Sequence, residues 1–416
     1  MHIMKRIMFL IALMTGVTAA FADCTFTDVI VRQHWPWNSK VEVEMTVAGT
    51  GGQTHLVKLT AYSGGTLLGE IPMEKPVEGN SRLTFTFDST KIDFLKNLGA
   101  IHDFRVVPSA RQANVLYMDI DLTKAAGEPG QITYITEEDI TSGAYGAFER
   151  KYWDAGVDEI AWTGVTADGK YATSHLVMRR IPAGTFKMGS PAGETNRGTD
   201  ERLQTDVTLT RSYYVGVFEV TENQWNRINN GSTSGGSVAK GGDAQQALRG
   251  AGRNWPTDRT VDPNSWIGKL RTKTGIPFDL PTEAQWEKAA RAGTVGVYYD
   301  GTEQPDTSKL NALAWTGGQA DADKVPHSVG LLKPNNYGLY DVLGNMAEKV
   351  LDWYVNPAPG ETVDPVGPES GSKRIYKGAG YNFGVGRQTR LGSRDGLGET
   401  STTVNSGFRL AMPAQW

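Results

Sequence analysis

The 416-residue chain has a single cysteine, Cys24. It can therefore form no internal disulfide, and no pair of cysteines is available for catalysis or metal binding. No H-E-x-x-H occurs. His34, His55, His102, His175 and His327 are scattered, and none has a partner at i+2 or i+4, which argues against a zinc site. There is no G-x-S-x-G elbow, no P-loop and no EF-hand loop. "GAGYNFG" (378–384) misses the dinucleotide fingerprint by one glycine position and lacks its βαβ setting. Basic excess is also missing. The formal net charge is −4, which argues against a nucleic-acid partner, because phosphate binding wants a basic surface. After residue 22 no apolar run is long enough to span a membrane.

Glycine and tryptophan are abundant. The chain has 49 glycines, about 12% against a usual 7% or so, and 11 tryptophans. That excess suits a loop-rich fold pinned by large aromatics. The start is a secretory signal: Lys5 and Arg6, an apolar run from Ile7 to Val17, and the A-x-A site Ala20-Phe21-Ala22. Cleavage there leaves Asp23 first. A lipid anchor on Cys24 is the alternative, and Asp23 is the wrong residue to precede it.

Four organisational blocks are expected: a signal at 1–22, an all-β domain at 23–125, a linker region at 126–173 and a larger domain at 174–416. "DVIVRQHW", "KVEVEMTVAG", "HLVKLTAYS", "RLTFTFDS" and "HDFRVVPSA" alternate as half-buried strands, with turn signals between them. Their spacing predicts a small sandwich of the immunoglobulin or fibronectin kind, with a core tryptophan from "RQHWPWN", acting as a spacer or docking module. Two helices are fixed by capping boxes, Thr221 with Gln224 and Thr282 with Gln285. Gly231 and Gly293 are natural stops, and Trp225, Trp286, Ala289 and Ala290 face inward.

Two stretches are chemically suggestive. In "NNYGLYDVLGNMAEKVLDWY" (335–354), Asp341 and Glu348 flank the turn Gly344-Asn345. Such a turn can aim carbonyls and carboxylates at a hard cation such as Ca²⁺, or it is a hydrogen-bonded structural feature. Asn311, Asp321 and Asp323 form a second candidate cluster. The second stretch, "KGAGYNFGVGRQTRLGSR" (377–394), offers Tyr381, Asn382, Phe383, Arg387, Arg390 and Arg394 as a ligand surface. Aromatics and arginine dominate interface hot spots. The alternative is a loop whose arginines pair with local carboxylates.

Taken in order, "RRIPAGTFKMGS" (179–190), "VGVFEVTENQW" (215–225), "FDLPTEAQWEKAARAGT" (278–294), residues 335–354, "RIYKGAGYNF" (374–383) and "NSGFRLA" (405–411) resemble the formylglycine-generating-enzyme, or sulfatase-modifying-factor, family. The resemblance implies an α+β fold similar to C-type lectins, with few helices and long loops. It also implies oxidation of a sulfatase cysteine by O₂ at a two-cysteine copper site. Here Gly380 stands at the family's serine position, and Phe383 and Gln388 at its two cysteines. The W-E-W triplet reads Ala347-Glu348-Lys349. Neither Phe nor Gln replaces a thiolate on Cu(I), so copper is not expected. The family's calcium pattern corresponds to Asp341, Gly344, Met346 and Glu348, and a looser one to Asn311, Ala312, Asp321 and Asp323. Lys349, where the family has an aromatic, is an alternative occupant of the first loop. The iron–histidine branch of the family does not match the histidines present. The expectation is an exported, non-catalytic binding or cell-surface module with a protein or glycan ligand. A formylglycine-generating oxidase, or other catalysis on the same fold, is the alternative.

Overall fold

The computed structural model describes residues 24–33, 39–96, 103–150, 159–243, 248–250, 255–317, 324–356 and 362–415. The expected signal, the tryptophans of "RQHWPWN", and Asp321 and Asp323 lie outside these. Two compact units are present, residues 1–138 with 415–416 and residues 139–414.

In the first unit, β1 (Thr25–Gln33), β2 (Lys40–Ala48) and β5 (Ser81–Asp88) form one antiparallel sheet in the order β1-β2-β5. β3 (His55–Ser63), β4 (Thr66–Val77) and β6 (Phe104–Gln112) form another, in the order β4-β3-β6. Alternation drives both: in β2, Val41, Val43, Met45 and Val47 are buried while the residues between them are not. These join Val57, Leu59, Ala61, Phe85 and Phe87 in one shared apolar cluster. The five expected strands are present. β4 was not legible, because "TLLGEIPMEKPV" carries a glycine and two prolines. It is an edge strand, where a missing N–H is tolerated. β7 (Val115–Asp121) and β8 (Ile132–Thr136) pair antiparallel.

The stretch expected as a linker, 126–173, holds β8, the short helix Glu137–Thr141 and the buried Trp162 and Tyr171. Trp162 donates its indole N–H to the Tyr145 carbonyl at 2.8 Å.

The second unit mixes few helices with many short strands. Strand Tyr213–Gly216 pairs antiparallel with His175–Ile181 on one side and Ala411–Pro413 on the other. A hairpin joins Gly184–Met188 to Thr205–Leu209. A four-stranded sheet is built round Ala347–Trp353. It pairs antiparallel with Lys373–Lys377 and parallel with Ser406–Gly407, and Asp395–Gly398 completes the far edge. Both capping boxes form as the sequence predicts, on helices Glu222–Asn230 and Glu283–Arg291. Gly231 ends the first at φ 74. The second ends one residue earlier than expected, with Ala292 itself left-handed. Trp286, Ala289 and Ala290 are buried. Trp225 is only half-buried and stacks on Trp266 with centroids 5.2 Å apart. Trp266 opens a further helix, Trp266–Thr274, which the sequence did not make legible although Ser265 caps it.

Candidate functional site

Strand Lys373–Lys377 delivers the chain into the 377–394 segment. Lys377 donates to Glu287 Oε2 at 3.1 Å, and Glu287 Oε1 accepts from the Gly189 amide at 2.7 Å and Arg291 Nε at 2.9 Å. Burial works against the Glu287 charge. Lys377 and Arg291 outweigh it and hold the carboxyl down at about 2. This network ties the helix Glu283–Arg291 to the root of the segment.

Beyond Lys377 the backbone is tightly packed. Ala379 is left-handed, with φ 64. A Cβ on Gly380 would lie 2.6 Å from the Asn405 carbonyl oxygen, so the position has no room for a side chain without movement. The Tyr381 amide donates to the Asn345 carbonyl at 2.7 Å, and the Gly317 amide to the Phe383 carbonyl at 2.9 Å.

The structure divides the six residues expected to meet a ligand. Tyr381 is buried. Arg390 is fully buried and paired with Glu194 and Glu201, and Arg394 holds Glu283 in a two-pronged pair at 2.9 and 2.8 Å. Arg394 also donates to the Val355 carbonyl at 2.6 Å. The expectation that Arg390 and Arg394 face a ligand is corrected: their donors serve internal carboxylates and carbonyls. Arg387 is exposed beside its Asp200 partner. Asn382 is exposed and accepts from Asn405 Nδ2 at 2.7 Å. Phe383 and Gln388 are half-buried.

The expected calcium loop is a closed network. Glu348 Oε1 accepts from Arg409 Nη2 at 2.5 Å. Its Oε2 accepts from Arg409 Nε at 2.6 Å and from the Trp286 indole at 2.6 Å. Arg409 is fixed further by the Gly216 and Tyr340 carbonyls, each at 2.9 Å. The Met346 amide donates to Glu219 Oε1 at 2.9 Å, and Asn345 Nδ2 to Glu219 Oε2 at 2.6 Å. Asp341 accepts from the Gly330 amide at 2.8 Å through Oδ2, while its buried Oδ1 has no partner among the described residues. Gly344, at φ 78, packs against the Trp315 backbone. Burial pushes the Asp341 carboxyl up to about 6. It pushes Glu219 well above its usual range, with Asp341 and Glu348 adding to the effect.

The orphaned oxygen of Asp341 would suit a cation, but the donors round it do not. Both oxygens of Glu348 are committed to a guanidinium, whose charge also repels a divalent ion. Among the described residues no group of three acidic, histidine or cysteine side chains is arranged to hold a metal. Asn311 and Ala312 sit exposed at the end of the helix Thr307–Leu310. The residue that faces the loop carboxylate is Arg409, not Lys349. Neighbours in a strand point to opposite faces, and Lys349 donates to Ser406 Oγ at 2.9 Å on the other side, where burial lowers its pKa to about 8. Arg409, Glu219 and Trp286 were missed as partners. The quoted motifs "GFRLA", "FEVTENQW" and "TEAQWEKAA" contained all three.

Residues 168–414 match the family model of the sulfatase-modifying factor enzyme 1-like domain. The formylglycine-generating enzyme of Bos taurus is 27% identical over 282 residues, covering 56% of this chain and 73% of that protein. The inactive C-alpha-formylglycine-generating enzyme 2 of Mus musculus is 32% identical over 146 residues, covering 32% of this chain and 43% of that one. The solved structure of Treponema denticola variable protein 1 aligns with a TM-score of 0.44 at 25% identity, covering 57% of this chain and 95% of that one.

Proposed function

The chain belongs to the sulfatase-modifying-factor family, and on that premise we propose that it is an exported, non-catalytic binding module built on the formylglycine-generating-enzyme domain. One observation carries the reading. Phe383 and Gln388 occupy the positions at which the resemblance calls for cysteines, and the chain's one cysteine, Cys24, lies buried in the other unit. Copper–thiolate chemistry has no ligands here. Lys349, the last residue of the altered triplet, has its pKa lowered by burial to about 8, within the range of general-base work. It is sealed against Ser406 at 2% exposure, so a substrate cannot reach it.

The remaining surface suits recognition. Asn382 and Arg387 are exposed and Phe383 and Gln388 half-buried, which brings an amide, a guanidinium, a ring and a second amide to one loop. The buried Arg390 and Arg394 pairs hold that loop in place, which lowers the ordering cost of binding. The ligand is a protein or a glycan met outside the cytoplasm. No described helix is long and apolar enough to cross a membrane.

The test uses the mature product, residues 23–416, on glycan and protein arrays. We expect a ligand whose binding falls on Phe383→Ala or Arg387→Ala while the melting midpoint falls by no more than about 4 °C. Formylglycine formed from a sulfatase peptide with copper and O₂ would overturn the reading. So would ligand binding that ignores both substitutions.

A further inference from the structure

We propose that Asn230 is a self-modification site, at which the chain converts its own side-chain amide to a carboxylate through a cyclic imide. Asn230 is the last residue of the helix Glu222–Asn230, and Gly231 follows it. No other asparagine in the chain precedes a glycine. The glycine matters because the nucleophile is its own backbone nitrogen. With no Cβ beside it, that nitrogen can approach the Asn230 side-chain carbon closely. Both residues are exposed, so water reaches them.

The fold adds three features to the dipeptide. The Ser232 amide donates to Asn230 Oδ1 at 3.0 Å. Negative charge gathers on that oxygen when the carbonyl is attacked, and a donor already in place stabilises it. Asn230 Nδ2 has no acceptor among the described residues, so nothing holds the nitrogen that must leave. The attacking nitrogen is tied by the final hydrogen bond of the helix, from Gly231 to the Arg227 carbonyl at 3.2 Å. Bonds at a helix end open more readily than those within it.

The chemistry balances without a cofactor. The Gly231 nitrogen loses its proton to hydroxide and bonds to Asn230 Cγ. The bond from Cγ to Nδ2 breaks, and ammonia leaves with a proton taken from water. Water then adds to either carbonyl of the imide and opens the ring. Opening at one carbonyl gives aspartate. Opening at the other gives isoaspartate, in which the main chain runs through the former side chain. Nothing is oxidised or reduced.

Both products set a carboxylate beside the free carbonyls of the helix end, where the macrodipole opposes it. Isoaspartate also lengthens the chain at the root of the next loop. That loop is stitched to the helix: Asn226 Nδ2 donates to the Ser234 carbonyl at 3.2 Å, and the Asn223 amide to the Gly236 carbonyl at 3.2 Å.

This chemistry is independent of the binding role of the 377–394 loop. The mature chain is aged in H₂¹⁸O at mildly alkaline pH, exchanged into ordinary water and digested, and the peptide spanning Asn230 is followed by mass spectrometry. It should gain one ¹⁸O and split into two products, one of them a substrate for an isoaspartyl methyltransferase. The rate should rise with pH, and Asn230→Gln should stay unmodified. Asn80 is equally exposed but precedes Ser81, and it should lag by about tenfold or more. Conversion in the folded chain should run within about tenfold of the same chain in urea. No uptake at Asn230, uptake as fast at Asn80, or a rate that ignores pH overturns the site. A greater slowing in the folded chain means that the helix shields the pair, and it overturns the part given to the Ser232 amide.

Discussion

Glu287→Gln should destabilise the second unit by about 3 kcal/mol at neutral pH, and the loss should vanish in acid. The carboxylate is fully enclosed and held at about 2 against an ordinary 4.5. Each tenfold gain in acidity on folding corresponds to about 1.4 kcal/mol of preference for the charged form in the folded state. Lowering the carboxyl from 4.5 to about 2 therefore amounts to about 3 kcal/mol. Buried ion pairs in general point to the same magnitude: removing one partner costs about 3–5 kcal/mol, because the other charge is left uncompensated. Here two cations lose their common anion, since Arg291 Nη2 lies 2.8 Å from Glu287 and Lys377 3.1 Å. Glu283, 3.6 Å from Lys377, is already committed to Arg394.

The pH dependence follows from that depression. A carboxylate whose folded pKa is depressed contributes stability above the unfolded value of 4.5. That stability is lost as pH falls toward 2. Urea denaturation of the wild type and Glu287→Gln across pH 2 to 8 reads the difference directly. At neutral pH the midpoint on heating should fall by about 6–12 °C for a unit of this size. A difference that stays constant from neutral to acid pH would refute the electrostatic account and leave only a packing effect. Because Lys377 begins the 377–394 segment, the same substitution should loosen that loop as well, read as faster amide exchange at Tyr381.

Arg390→Met leaves Glu194 and Glu201 facing each other in the interior and should cost about 3–5 kcal/mol, whereas Arg387→Ala at the surface should cost about 0–1 kcal/mol; equal losses in chemical denaturation would mean the two arginines are not divided as the structure has them. Thr282→Ala removes an N-cap whose hydroxyl accepts from the Gln285 amide at 3.1 Å and should cost about 1 kcal/mol, with an unchanged midpoint counting against it. Melting curves in EDTA and in millimolar Ca²⁺ should coincide, because Arg409 occupies Glu348; a rise in Ca²⁺ that disappears in Glu348→Gln would reverse that conclusion.

The sequence by itself determined the local devices. A capping box is closed within four residues, so Thr221–Gln224 and Thr282–Gln285 could be read directly. The same is true of the alternating strands of the first unit, whose pattern repeats every two residues. The ordered motifs of the second unit also pointed to its family. The resemblance also implied Phe383 and Gln388 at the family's two cysteine positions, and the single cysteine of the chain is read directly from its sequence. What the 377–394 segment does with its arginines was not legible. The arginines look alike along the chain, yet Arg390 meets Glu201 across 189 residues and Arg394 meets Glu283 across 111. Glu348 and Asp341 read as a pair aimed at a metal until Arg409, 61 residues away, closed on the carboxylate. A buried charge takes its role from whichever opposite charge the fold brings within about 3 Å. Only the tertiary structure decides that partner, because Coulomb attraction and desolvation act through space and leave no period in the sequence.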